Sequence, residues 1–478
     1  MDNFPFIGRK AELQRLEDLL KKKTASLVVI KGRRRIGKSR LAEEFARGKQ
    51  FLQFSGLPPV VGVTDQDQRD EFSRMLSQQT GLPEIKTDDW GKLFALLGEK
   101  IQSGRVIVLL DEISWMGQND PHFLAKLKNA WDLSFKKNDQ LILILCGSVS
   151  AWIEKNILSS TGYFGRISEK ITLNELSVQE CNQLLTTLGF KRSAMEKLVA
   201  LSLTGGIPWY IEQINPAYSA ADNIKRLCFQ PDGILVDEYR HIFHDLFGKK
   251  GAIYEKIAGF LAKQNGEYKE IVAATDYASS GALTEYLNDL QTSGYIEKYP
   301  SWDLSTGKEN NISFYRLTDC YLRFYYRYIQ PRKNKILRGE LSDMNVATLP
   351  AWPTIMGLQF ENLVLNNRKW LHEKLRIRPE DIVASNPYYQ RATKKRPGCQ
   401  IDYLIQTRLK TLFVCEIKFS VRTIDATVIK EVQEKIQRLS IPRGFACVPV
   451  LIHCHEVSDE VATAGYFFEC INFGEFLA

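Results

Sequence analysis

The sequence predicts an α/β chain of several domains, and three observations carry that prediction. Strand-sized apolar runs stand at 26–30 (SLVVI), 106–110 (VIVLL) and 141–146 (LILILC), the first of them leading into a helix-period segment, as in a sheet buried on both faces. A length of 478 residues, at roughly 150 per domain, leaves room for about three cores. Hydrophobic residues at 44%, charged residues at 25% and aromatics at 11% belong to a folded chain rather than a disordered one.

The same numbers exclude several classes. The apolar runs fall far short of the ~20 residues of a membrane helix. The N-terminus, MDNFPFIGRK, has no apolar secretory stretch, so a cytoplasmic protein without a membrane partner is expected. Nine cysteines without a CxxC pair read as reduced, mostly buried thiols. Cys447, His453, Cys454, His455 and Cys470 cluster in sequence, but neighbours on a strand point to opposite faces, which argues against a shared metal. Lys and Arg number 64 against 56 Asp and Glu, a net charge of +8 that permits a polyanionic partner without arguing for one.

The first element with chemistry is SLVVIKGRRRIGKSRLAEEF at 26–45, a strand, a GxxxxGKS loop and a helix. Gly32 and Gly37 let the backbone turn its N–H groups toward phosphates, and the helix adds the positive end of its dipole. Lys38 would reach the β- and γ-phosphates, and Ser39 would ligate Mg²⁺. The next strand, VIVLLDEIS, ends in two carboxylates. Asp111 is the candidate Mg²⁺ holder and Glu112 the candidate base that orients the attacking water. The third strand ends at Ser148, a sensor of the γ-phosphate or a plain strand-end cap. Arg166, in TGYFGRISEKITL, reads either as an arginine finger on the same or a neighbouring nucleotide or as a surface arginine.

Together FIGRKAELQRL at 6–16, GRRRIGKS, LLDEISW, LCGSVSAWI and GGIPWYI at 205–211 resemble the archaeal-type ATPases of the AAA-related, STAND-like clade. The resemblance runs in order over about 240 residues. It implies a parallel sheet with an extra strand between the two Walker strands, and ATP as the nucleotide, in keeping with the absence of an NKxD guanine motif. It also implies that Gly8 and Arg9 lie near the adenine, and that Gly205, Gly206 and Pro208 fall in a helical lid. The residues alone read the glycine pair as a helix C-cap before a Pro-started helix.

Further on, helical periodicity at 253–263 and 282–296 precedes two apolar runs around a polar loop, a pattern that resembles a winged helix-turn-helix. Its third helix carries Glu285 and Asp289 and is not basic, so DNA contact and intramolecular coupling both stay open. The segment YLRFYYRYIQPRKNKILRG at 321–339 is basic and aromatic. It reads either as a phosphate-tracking, base-stacking surface that includes Arg332, Lys333 and Lys335, or as a connecting helix and linker.

The last region begins near Leu349. A helix at 357–367 carries Glu361; then IDYLIQ and TLFVCEIKFS form a hairpin. Glu416 and Lys418 are two apart and share a face, with Asp402 within cross-strand reach. Two such carboxylates suit Mg²⁺, and the lysine suits water or phosphorane charge. With Gln433 and Gln437 on the following helix, the set resembles the PD-(D/E)XK nuclease superfamily, in a chain where such a domain follows the ATPase. That resemblance implies Glu361, Asp402 and Glu416 as metal ligands and Lys418 as catalytic. A structural Glu–Lys pair is the alternative.

The resulting expectation is a P-loop ATPase core at 1–165, a helical lid at 166–240, a winged-helix-like domain at 241–330, a basic linker at 331–348 and a restriction-endonuclease-like α/β domain at 349–478. ATP and Mg²⁺ are the cofactors, and nucleic acid, DNA ahead of RNA, the partner, with a homo-oligomer left open. The function expected is ATP-regulated, Mg²⁺-dependent DNA processing, in defence or mobile-element biology. The alternative is a nucleotide-switched DNA-binding regulator or scaffold whose nuclease-like domain is inactive; a GTP switch is disfavoured by the missing guanine motif.

Overall fold

The computed structural model describes residues 5–60, 62–148, 150–247, 251–277, 281–394 and 396–478. The chain divides into two compact units, one of Met1–Glu175, Arg240–Gly251 and Asn288–Tyr295, the other of Leu176–Tyr239, Ala252–Leu287 and Ile296–Ala478.

The first unit is built on five strands, β1 (Ser26–Gly32), β2 (Gln50–Ser55), β3 (Val106–Asp111), β4 (Ile142–Gly147) and β5 (Ile167–Leu173). They lie in the order β2-β3-β4-β1-β5, with every pairing parallel. The three apolar runs are β1, β3 and β4, and β3 and β4 are buried at every residue, as strands covered on both faces must be. Strand β4 separates β1 from β3, the inserted strand that the resemblance implies. One side is sealed by an aromatic cluster in which Phe72 stacks on Phe54 and meets Trp90 and Phe94 edge-on. Because all the strands are parallel, Gly32, Asp111 and Gly147 end at one edge of the sheet, which places the phosphate loop beside the acidic strand end.

The second unit begins with helices. Ser177 caps Val178–Thr187 in a reciprocal capping box with Glu180, and Ser193 caps Ala194–Thr204, both following the S-x-x-E signature. Gly205 terminates the latter helix at φ 54°, and Pro208 opens the next. The C-cap reading of the glycine pair therefore holds. After helix Gly251–Leu261 come β6 (Gly266–Glu267), helices Tyr268–Thr275 and Gly281–Thr292, β7 (Ile296–Trp302) and β8 (Glu309–Leu317). The three strands form a small antiparallel sheet in the order β6-β8-β7.

The rest of this unit is a mixed sheet of β9 (Ile382–Gln390), β10 (Cys399–Thr407), β11 (Thr411–Lys418), β12 (Ala446–His453) and β13 (Glu469–Asn472), ordered β13-β12-β11-β10-β9. β9, β10 and β11 pair antiparallel, whereas β11, β12 and β13 pair parallel. Helix Thr427–Arg438 makes the crossover from β11 to β12, and its Val428 and Val432 are buried with Leu451.

Side-chain contacts bridge the boundaries expected near 240, 330 and 348. Gln359, in helix Trp352–Asn366, donates to the Ser202 and Cys320 carbonyls at 2.8 and 2.7 Å. The buried Lys197 ammonium donates to the Leu477 carbonyl and to Asn182, both at 2.7 Å. The Trp302 indole donates to Gln406 at 2.7 Å, and Glu297 accepts from both Arg316 and Arg368. The stretch 331–348, expected as a linker, is helical over Lys333–Leu337 with Ile336 buried.

The aromatic stretch before it corrects an expectation. Tyr321, Phe324, Tyr325 and Tyr328 are all buried, and Tyr325 stacks on Tyr239 at 4.1 Å. These rings are core and do not offer faces to nucleobases. Lys333 pairs with Asp237 at 2.7 Å; Arg327, Lys335 and Arg338 are exposed. All nine cysteines are free thiols. Among the described residues no three His, Cys, Asp or Glu side chains form a metal-holding group.

Candidate active sites

The first site lies at the C-terminal edge of the parallel sheet. Between β1 and helix Lys38–Ala46 the loop turns through Arg35 at φ 65° and Gly37 at φ 90°. At Gly32 a Cβ would stand 2.6 Å from the Leu173 carbonyl oxygen, so only glycine lets the loop pass under β5. Lys38 is buried, and its ammonium donates to the Arg33 carbonyl at 3.0 Å, which folds the side chain back over the loop. The Ser39 hydroxyl donates to Asp111 Oδ2 at 2.6 Å. A hydroxyl and a carboxylate in contact fit the oxygen donors of a hard divalent ion that keeps several waters.

Glu112 follows at φ 49°, a left-handed conformation uncommon for a residue with a Cβ. One of its carboxylate oxygens accepts from the Ser148 backbone N–H at 2.9 Å and from the Ser148 hydroxyl at 2.8 Å. Ser148 therefore fixes the candidate base. Beneath them burial pushes the Cys146 thiol well up, Asp111 adding to the effect, so it stays a neutral packing group. Ser148→Ala leaves the backbone N–H in place but deletes one charge-assisted bond worth about 1.5–3 kcal/mol. We expect kcat for ATP to fall by about tenfold with KM unchanged, measured by steady-state phosphate release.

Arg9, at φ 58° beside Gly8 at φ 75°, donates to the Ile36 carbonyl at 3.3 Å and the Asn174 carbonyl at 2.6 Å. It ties the N-terminal segment to the phosphate loop and to the exit of β5. Sequence reasoning missed the other tether. Arg33 pairs with Glu175 at 2.7 Å and lies 4.8 Å from the centre of the Tyr295 ring. Partners 142 and 262 residues away leave no local signal.

Arg166 stands elsewhere. β5 faces β1 with Ile167 opposite Leu27 and Leu173 opposite Gly32, so Arg166 lies at the far end of the strand, roughly 20 Å from the loop at ~3.3 Å per residue. Its guanidinium grips Asp132 in a two-pronged pair at 2.9 and 2.8 Å and holds that carboxyl well below the usual range. This placement removes the same-nucleotide reading; a finger role requires a second copy of the chain.

The second site lies on β10 and β11, where Tyr403 pairs with Cys415. One step along that register, Asp402 and Glu416 come together. Asp402 Oδ2 accepts from the Ile417 N–H at 3.0 Å. The Lys435 ammonium, from helix Thr427–Arg438, contacts Glu416 and also Asp402 Oδ1 at 3.5 Å. Lys418 turns to Glu431 at 2.5 Å, and Gln433 and Gln437 are exposed on the outer face of the helix. Asp402 and Glu416 meet around the Lys435 ammonium, and among the described residues Glu361 does not join them in a group of three metal-holding side chains.

Glu361 stays close enough to be felt. Burial first, and the negative charge of Asp402 second, push its carboxyl up to about 7. Burial and Asp402 also push Glu416 upward, against the pull of Lys435. A buried acid with a raised value contributes stability below its unfolded value near 4.5, and that contribution is lost as pH rises through 7. Glu361→Gln should flatten this slope and gain up to about 3 kcal/mol at pH 8 relative to wild type, read from urea midpoints at pH 4 and 8.

Lys435 was legible in principle. Buried Val428 and Val432 set an inward stripe at i and i+4, and position 435 continues it at i+7.

A glycine-turned loop at a helix N-terminus, a Ser–Asp contact and an oriented glutamate define the class of P-loop nucleotide hydrolases. Residues 6–214 match the family described as an ATPase domain predominantly from Archaea. An uncharacterized protein of Methanocaldococcus jannaschii is 26% identical over 337 residues, 70% of this chain and 71% of that one. Similar solved structures include the Walker-type ATPase of Pyrococcus abyssi, at 17% identity over 67% of this chain and 96% of that one with a TM-score of 0.49. The ORC2 protein of Aeropyrum pernix, in ADPNP–ADP complexes, stands at 14% identity over 72% and 98%, TM-score 0.41. Among the described residues no helix is long and apolar enough to cross a membrane.

Proposed function

We propose that this ATPase domain controls a Mg²⁺-dependent, DNA-cutting second site. The observation that carries the proposal is the Asp402–Glu416 pair on adjacent strands of a mixed sheet, flanked by Glu361 and by the Lys435 ammonium. A helix, three antiparallel strands, a crossover helix and a parallel strand, as in Trp352–Asn366, β9, β10, β11, Thr427–Arg438 and β12, support a restriction-endonuclease-like reading. The helix–strand–helix–helix–strand–strand order over 251–317 likewise supports a winged helix. Exposed Arg327 and Lys335, with Arg338 beside them paired to Glu340 at 2.6 Å, are the cations of this stretch that could face a phosphate backbone.

On the nucleotide side, Lys38 would neutralise the β/γ-phosphates, Ser39 and Asp111 would hold Mg²⁺, and Glu112, fixed by Ser148, would orient the attacking water. On the second side, Asp402 and Glu416 would hold a Mg²⁺ that acidifies water and polarises the scissile phosphate. The protein's own part there is to keep two carboxylates facing each other in a half-dry setting and to keep a lysine beside them. Foreign or mobile DNA is the substrate class suggested by the resemblance of the chain.

Plasmid DNA incubated with the full chain, with and without Mg²⁺ and ATP, tests the reading. Nicking or linearisation that requires the metal supports it; intact plasmid under every metal and nucleotide condition sinks it. One observation favours a second reading, a nucleotide-switched regulator or scaffold: Lys435 already balances the carboxylates, as it would in a site that no longer binds metal.

A further inference from the structure

The charges around β11 are shared out unevenly between two lysines, and their bearing on function rests on the metal-site reading of Asp402 and Glu416. Glu431 and Lys435 are four residues apart and so occupy one face of helix Thr427–Arg438. Each takes a different partner from β11. The Lys418–Glu431 pair is exposed, at 37% and 48% of the side chains, where water screens an ion pair. Lys435 is 29% exposed and its partners Asp402 and Glu416 only 16% and 7%. The lysine two residues after Glu416 is thus held at the surface by another acid, and the ammonium on both carboxylates comes from the helix.

The oxygens involved define its role. Asp402 Oδ2 is taken by the Ile417 N–H, whereas Lys435 takes Asp402 Oδ1 and Glu416 Oε2. A divalent ion held by this pair would have to share or displace the ammonium at Asp402 Oδ1, the oxygen of that carboxylate not already taken by the backbone, and next to Glu416. We propose that Lys435, and not Lys418, is the lysine of the Asp402–Glu416 site, and that its ammonium competes with a divalent cation for these carboxylates, setting the metal affinity of the site. Lys435 is a positioning residue in this scheme, acting through the two acids.

Mn²⁺ binding to the full chain at pH 7.5, followed by calorimetry and by the EPR signal of free Mn²⁺, tests this without a cleavage assay. Asp402→Ala supplies the baseline, because it removes this site and leaves Ser39 and Asp111 untouched. Lys435→Met should raise the Asp402-dependent affinity by about tenfold or more, since a unit charge near 4 Å acts strongly on a divalent ion at a partly dry site. Lys435→Arg, which keeps the charge, and Lys418→Met should stay within about threefold of wild type. Lys435→Gln is measured alongside, with melting curves, so that a misfolded methionine variant does not decide the matter.

Asp402-dependent binding in wild type that is unchanged in both neutral variants overturns the competition and leaves the metal site standing. Tighter binding in Lys418→Met alone reassigns the lysine and overturns it too. No Asp402-dependent binding in any variant overturns the proposal together with the metal-site reading.

Discussion

Lys38→Ala should abolish ATP turnover, and Glu112→Gln should bind ATP yet hydrolyse it at least ~100-fold more slowly. The two losses differ in kind. Lys38 is the buried ammonium folded over the phosphate loop, so its removal takes away charge stabilisation of the bound phosphates as well as of the transition state. Glu112 meets Ser148 rather than the loop. Its amide keeps the hydrogen-bond geometry but cannot polarise water, which leaves ground-state binding intact. Equilibrium binding of a fluorescent ATP analogue, set beside phosphate release, separates the two. Normal steady-state hydrolysis by both variants would remove the assignment.

Asp402→Ala and Glu416→Ala should each abolish metal-dependent DNA cleavage while leaving ATP hydrolysis nearly intact, because Lys38, Ser39, Asp111, Glu112 and Ser148 all belong to the other unit. Both variants also deprive the Lys435 ammonium of a partner. Breaking a buried pair costs ~3–5 kcal/mol, and the partial exposure of Lys435 puts the loss toward the lower end of that range. Stability alone therefore does not discriminate. A purely structural pair predicts lowered melting temperatures with no cleavage to lose, whereas a nuclease site predicts both losses. Lys418→Ala, which the sequence pattern groups with these acids, should do little to either quantity, because its pair with Glu431 is solvent-exposed.

Much of the first unit was legible because its information is local. Continuous apolar runs marked β1, β3 and β4, and the loop spacing placed Gly32, Gly37, Lys38 and Ser39 together. Contacts set by the order of strands were not legible. Asp111 reaches Ser39 across 72 residues and Glu112 reaches Ser148 across 36, so the residue types could be named as a site while their partners could not. In the 321–339 stretch the obstacle was different. Tyr321, Phe324, Tyr325 and Tyr328 recur at the 3–4 spacing of a buried helical stripe, and they are buried; the basic residues interleaved among them mask that periodicity. At the second site strand alternation put Glu416 and Lys418 on one face correctly. It could not show that a helix supplies each with an opposite charge.

The bond from Lys197 to the carbonyl of Leu477 also fixes an order of events during synthesis. An ammonium in the first third of the second unit stays without this acceptor until residue 477 has left the ribosome, and Gln359 must likewise meet the Ser202 carbonyl 157 residues away. Closing such loops late is slow, and segments waiting for them remain sticky. Most of the first unit is made before residue 176, so it has a long head start as a nascent chain. The second unit can complete this contact only once residue 477 is made, which leaves that part of it the longer exposed to misfolding and to chaperone capture.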